Sequence, residues 1–272
     1  MKKLRVIQLL VLVAMFILSS CSSDDVQPAN PKNYVLVHGA WQAPYAWQAV
    51  KANLEKQGNH VIVVELPGHG ADQTPPTEIT LDKYKEKVMN AISTVDGKVL
   101  LVGHSLGGMI ISSVAESIPE KIETLIYVAA YLPVSGLTLD SLAHMDPDSH
   151  LGGKDILIFN TDTYTVDVKQ DQIVDLFIQD GTPEVQNLVL NNYRTEPLIP
   201  FINPVTLTGQ NFGSVKKAYI KTLQDHVVSP YLQNKMISTG NVKSVYEINT
   251  GHSPFLSQPD NLSSLLTKIA NN

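Results

Sequence analysis

The sequence predicts an α/β fold: a mostly parallel central sheet with helices on both faces, interrupted by a helical insertion. Three observations carry that prediction. Short apolar runs are continuous rather than alternating, as expected of strands buried on both faces. Amphipathic stretches of helical period separate them. The alternation stops after Leu132-Pro133 and resumes near residue 209, which marks an insertion over 133–208.

In order, "YVLVH" (34–38) reads as a buried strand. "AWQAVKANLEKQG" (46–58) follows as a helix with Trp47, Val50 and Leu54 on one face and Gly58 at its C-cap. "HVIVVE" (60–65) is a second strand and "LPGHG" (66–70) a loop. Thr80 caps a helix over 80–93 whose stripe is Leu81, Tyr84, Val88 and Ile92. "KVLLVG" (98–103) is a third strand, 106–117 a helix stopped near Pro119, and "TLIYVAA" (124–130) a fourth strand. The insertion shows no convincing buried strand; "KQDQIVDLFIQD" (169–180) and "PEVQNLVLNNY" (183–193) read as its amphipathic helices. "KKAYIKT" (216–222), a helix near 230–240, "SVYEIN" (244–249) and a helix over 259–270 complete the core.

The 272 residues are 43% apolar and 17% charged, the balance of a globular chain. A net charge of -6, with no long Lys/Arg run past the N-terminus, gives no electrostatic basis for nucleic-acid binding. No Cys/His cluster suggests a metal, and no cofactor is expected. Lys2, Lys3 and Arg5 precede a short apolar run, Val6 to Leu18, too short to span a bilayer. It ends in "LSSC" (18–21), which resembles the lipobox of bacterial lipoproteins. That resemblance implies a signal peptide over 1–20, lipidation of Cys21, the only cysteine, and a membrane-anchored place in the bacterial cell envelope, at the outer membrane. Residues 21–32 are small, acidic and proline-containing, which suits a tether. The core then occupies 33–132 and 209–272.

The chemistry is read from "LVGHSLGGM" (101–109). Gly103-His104-Ser105-Leu106-Gly107 sits between a strand and a helix, the context of a nucleophile elbow. A serine needs a base held by an acid, and on this type of fold the order is Ser, acid, His. Of eight histidines most fail on position. His38 ends the first strand and supports the loop beneath the site, His60 begins a strand, His69 lies in a turn, and His104 cannot point as Ser105 does. His144 and His150 fall in the insertion, and His226 neighbours a candidate acid. His252, in "NTGHSPF" past the last strand, is the expected base. Asp225, in the loop after "KKAYIKT", is the expected acid, with Asp140, Asp146 and Asp148 as alternatives. Two backbone donors should form an oxyanion hole: the N–H of Leu106 and, because Gly39 permits the turn in "HGAW", that of Ala40.

These segments resemble the α/β-hydrolase superfamily, and within it the branch of plant methylesterases and hydroxynitrile lyases with their bacterial esterase relatives. The resemblance rests on "YVLVHGAW", "LVGHSLGGM", "YVAAYLP", "FGSVKKAYIKT" with Asp225, and "GHSPFLSQPDNLSSLL". It implies Ser105, Asp225 and His252 as the triad, Ala40 and Leu106 as the hole, and a helical cap over 133–208. The lyases resemble a pattern with Thr after the first-strand His, an acid before the nucleophile and Lys after the base. This chain has Gly39, His104 and Ser253 there. Serine cannot supply the charge that departing cyanide needs, so hydrolysis of a small carboxylic ester is expected. An acyltransferase, or a C–C or C–N hydrolase or lyase on the same triad, is the alternative. A non-catalytic surface lipoprotein that binds a ligand is the remote one. Met145, Phe177, Phe201 and Phe212 are candidates to line an acyl pocket or to fill the cap core.

Overall fold

Six parallel strands form the central sheet in the computed structural model, which describes residues 31–272. They are β1 (Asn33–Val37), β2 (His60–Val64), β3 (Val99–His104), β4 (Ile122–Val128), β8 (Lys217–Thr222) and β9 (Ser244–Ile248). Their order across the sheet is β2-β1-β3-β4-β8-β9. The residues read as a signal peptide, including the run before Cys21, and Cys21 itself lie outside the described residues.

Burial on both faces explains the continuous apolar runs. All six residues of β3 are buried. In β1, Tyr34 and Leu36 join one core cluster and Val35 and Val37 the other, as side chains alternate across a strand. Helices Gln48–Lys56 and Pro259–Ala270 close the first cluster through Val50, Leu54, Leu262 and Leu266. Helices Leu81–Ser93 and Gly107–Ser117 close the second through Tyr84, Val88, Ile92, Ile110 and Val114. The expected signals operate: Thr80 Oγ1 accepts the Lys83 N–H at 3.2 Å, and Gly58 takes φ +86° just past its helix.

The segment between β4 and β8 departs from the helical expectation. It contains an antiparallel three-stranded sheet, β5 (Leu157–Asn160), β6 (Thr165–Val168) and β7 (Glu196–Pro197), with short helices around it. β5 escapes sequence reading because it lacks a buried face; Ile158 and Phe159 are 51% and 58% exposed. The helix expected over 169–180 shortens to Ile173–Phe177, since Ile178 leaves the helix to bury its side chain completely.

Candidate active site

β3 runs into Ser105, whose φ is +51°, and a helix starts two residues later at Gly107. A non-glycine residue in the left-handed region costs about 1–3 kcal/mol and persists only where its surroundings force it. Here the Ser105 carbonyl accepts N–H groups from Gly108 at 3.0 Å and Tyr131 at 3.1 Å. Crowding explains the flanking glycines. A Cβ on Gly103 would lie 2.6 Å from the Gly107 carbonyl oxygen, and one on Gly39 would lie 2.7 Å from Ser105 Cβ. Gly107 in turn packs against the carbonyls of Val37 and His38.

Asp225 and His252 meet behind the carboxyl ends of β8 and β9. His252 Nδ1 donates to Asp225 Oδ2 at 2.9 Å, and both side chains are buried. Thr222 Oγ1 also donates to Oδ2, at 2.7 Å, while Oδ1 accepts the N–H groups of Val227 (2.8 Å) and Val228 (2.9 Å). Four donors thus fill the acceptor sites of one carboxylate. Commitment of Nδ1–H to Asp225 leaves the Nε2 lone pair of His252 free for a proton. Fully buried Gln233 braces the loop, donating to Thr222 Oγ1 and the Val228 carbonyl and accepting the Thr222 N–H. Among the described residues no hydrogen bond joins Ser105 to His252, a contact that often tightens only with substrate bound.

The neighbours of these groups act as struts. His104 Nε2 donates to the His252 carbonyl at 2.9 Å, and the two rings lie 4.5 Å apart. Burial, reinforced by the nearby His252, holds the His104 imidazole well below the usual histidine range, so it stays a neutral donor. Ser253 Oγ accepts from Gln42 at 3.0 Å, linking the loop after His252 to the loop after β1.

Ala40 and Leu106 are both buried, and neither backbone N–H has a hydrogen-bond partner among the described residues. Buried backbone donors are rarely left open. The next N–H along, that of Trp41, is taken by Glu196 Oε2 at 2.8 Å, and Trp41 also has a left-handed φ of +59°.

Glu196 has no counterpart in the sequence reading. Fully buried, it also receives Tyr84 OH at 3.2 Å and His69 Nε2 at 2.8 Å, and His69 Nδ1 donates to the Pro67 carbonyl at 3.0 Å. His69 is therefore more than the turn residue it resembles: it links the loop after β2 to the insertion. Burial alone would lower its pKa, but the charge and hydrogen bond of Glu196 outweigh burial and raise it. His38, nearby, is pushed the other way, to about 3, by burial and by His69. It accepts the Leu66 N–H through Nε2 and donates from Nδ1 to the Gly39 carbonyl, so it does support the loop beneath the site.

A raised folded-state value means that the His69–Glu196 pair stabilises fully below the ordinary pKa of 6.5 and loses that contribution as pH rises through the folded value. Glu196→Gln is expected to cost about 3–5 kcal/mol where His69 is charged. Urea unfolding at a series of pH values should show this gap narrowing as pH rises. A gap independent of pH would contradict the pairing.

The insertion is stitched to the loops that carry Asp225 and His252. Buried Asp146 accepts the Ser229 N–H at 2.8 Å, Ser149 Oγ donates to the Val227 carbonyl at 2.7 Å, and Asp180 accepts the Gly251 N–H at 3.0 Å. That contact gives Asp146 a bracing position rather than a place beside His252, while Asp140 and Asp148 are exposed. Between the insertion and the loops after β1 and β4 lies a cavity of about 400 Å³. Trp41, Tyr131, Leu139, Leu151, Val166 and Phe201 supply apolar walls, and Asp140, His144 and Asp146 supply polar ones. Ser105 is not in the lining, but Trp41 adjoins Ala40 and the Tyr131 N–H bonds to Ser105. Of the four candidate pocket residues only Phe201 lines it. Phe177 packs between the rings of Trp41 and His252, Met145 is 37% exposed, and Phe212 lies under Lys217.

Comparison with known proteins matches residues 34–265 to the Alpha/beta hydrolase family. Methylesterase 7 of Arabidopsis thaliana is 30% identical over 265 residues, covering 89% of this chain and 97% of that protein. The chain spans 58% of the length of two chloroplastic relatives from the same plant, members 15 and 13 of the methylesterase series, at 30% identity to each. Among solved structures, polyneuridine aldehyde esterase superposes with a TM-score of 0.79 at 25% identity, covering 88% of this chain and 99% of that one. A pyrethroid hydrolase from Sphingobium faniae JZ-2 gives 0.77 at 25% identity, with coverages of 88% and 97%.

Proposed function

The chain belongs to the alpha/beta hydrolase family, in the branch of the plant methylesterases, and we propose that it is a serine hydrolase acting on a small carboxylic ester through an acyl-enzyme. The observation that carries this reading is the buried Asp225–His252 hydrogen bond of 2.9 Å, which fixes the imidazole with Nε2 as the basic nitrogen. His252 Nε2 takes the Ser105 proton as Ser105 Oγ attacks the ester carbonyl carbon. The carbonyl oxygen becomes an oxyanion and receives the open N–H groups of Ala40 and Leu106, each worth about 2.7–4 kcal/mol to such a transition state. The imidazolium passes its proton to the leaving alcohol as the C–O bond breaks. His252 then takes a proton from water as its oxygen attacks the acyl carbon; the bond from that carbon to Ser105 Oγ breaks, the carboxylic acid leaves, and His252 returns the proton to Oγ. Cyanide elimination lacks support: Ser253 stands where the resemblance gives lyases a lysine, and it is buried against Gln42.

The methylesterase relatives support a small ester as the substrate class. A panel of p-nitrophenyl esters tests the reading. Short acyl chains should be hydrolysed to free carboxylate and alcohol. Turnover restricted to long chains would contradict the size assignment, and transfer to an added alcohol in place of hydrolysis would contradict the reaction class.

Residues 1–20 serve as a signal peptide, Cys21 carries lipid, 21–32 tether the enzyme to the outer membrane, and 133–208 cap the core. Cys21→Ser is expected to move the protein from the membrane fraction to the soluble one. Unchanged membrane association would contradict the anchor.

A further inference from the structure

Three side chains outside the proposed catalytic machinery converge at the junction between insertion and core. His226 follows Asp225 directly, while His150 and Asp175 belong to the insertion. His226 Nδ1 lies 3.2 Å from Asp175 Oδ1, and His150 Nδ1 lies 3.0 Å from Asp175 Oδ2. The two imidazole rings are 4.0 Å apart, and the three donor atoms fall within 4.8 Å of one another. A backbone hydrogen bond of 2.8 Å from the His150 N–H to the His226 carbonyl holds the two histidines in place.

We propose that His150, Asp175 and His226 form a site for a divalent transition-metal ion of the zinc class, clamping the insertion to the loop that carries Asp225. Tetrahedral zinc with bonds of about 2.0–2.1 Å sets its ligand atoms about 3.3 Å apart. The two N–O separations, each to a different oxygen of Asp175, lie close to that spacing. Two imidazoles and one carboxylate are a borderline-soft donor set, which favours Zn²⁺ over Mg²⁺ or Ca²⁺. Each histidine offers a bare Nδ1 to the ion, with its ring proton on Nε2. The side chains remain 29–52% exposed, which leaves room for water as the fourth ligand. The ion takes no part in ester hydrolysis; it fixes the outer wall of the acid loop.

Chelator-treated full-length protein titrated calorimetrically with ZnCl₂ tests the site. One saturable site per chain is expected, with a rise in Tm that MgCl₂ does not reproduce. His150→Ala and Asp175→Asn, both remote from Ser105 and His252 in the sequence, should each weaken binding by about 10-fold or more. Co²⁺ in the wild type should show the visible bands of imidazole-ligated cobalt, absent from His150→Ala. Three results overturn the proposal: no saturable Zn²⁺ binding, equal binding by both variants, or equal affinity for Mg²⁺. None depends on ester turnover, so failure of the metal site and failure of the esterase reading are separable.

Discussion

Ser105→Ala is expected to lower kcat by about 10⁶ while leaving the chain folded and KM little changed. The substitution removes only the hydroxyl. The backbone of residue 105 is fixed by the Gly108 and Tyr131 N–H groups on its carbonyl, not by its side chain. Alanine therefore sits in the same left-handed conformation as serine, at similar strain. The Ala40 and Leu106 donors stay in place, and with substrate binding they account for residual activity over water of about 10³–10⁴. Steady-state kinetics on a short p-nitrophenyl ester, with circular dichroism as the folding control, measures the effect. A folded variant that keeps more than about a hundredth of the wild-type kcat would remove Ser105 from the mechanism.

Asp225→Asn should cost about 10⁴ in kcat through the tautomer of His252. An asparagine oxygen can replace Oδ1 and keep the Val227 and Val228 N–H groups satisfied. Its NH₂ then faces Thr222 Oγ1 and His252 Nδ1, which now donate to Oδ2. Thr222 can turn its hydroxyl to accept, but His252 must carry its proton on Nε2, the nitrogen that has to receive the serine proton. The loop geometry survives because Gln233 holds Thr222 and Val228 independently of Asp225. A loss below about tenfold in kcat would show that the carboxylate does not set the imidazole tautomer.

The elements that position the site were legible because each has a local cause in the sequence. β3 is an apolar run of five residues, Val99 to Gly103, that ends in His104, and the glycines on either side of Ser105 allow the sharp turn there. The long-range pairing of Asp225 with His252 follows from topology. Both residues trail strands of one parallel sheet, and such loops gather at one edge. Glu196 had no such signal. It is an isolated acid in "RTEPL", and its burial depends on Trp41, His69 and Tyr84 arriving from three distant segments. Gln233 was hidden for the same reason, as one polar residue on a helix whose partners lie in the preceding loop. The small sheet of the insertion leaves no such trace, because β5 exposes its apolar residues and so lacks the alternation that marks a half-buried strand. Motifs with local geometry survive reading from sequence. Buried polar contacts between remote segments do not.

Everything in the proposed reaction depends on Ser105 being an activated nucleophile. Labelling with a fluorophosphonate probe, followed by peptide mass spectrometry, checks this at the residue itself, because the probe reacts readily with a serine activated by a neighbouring base and far more slowly with an ordinary one. One adduct per chain is expected, on Ser105, with none on Ser105→Ala. An unlabelled wild type, or an adduct that persists unchanged in Ser105→Ala, would contradict it.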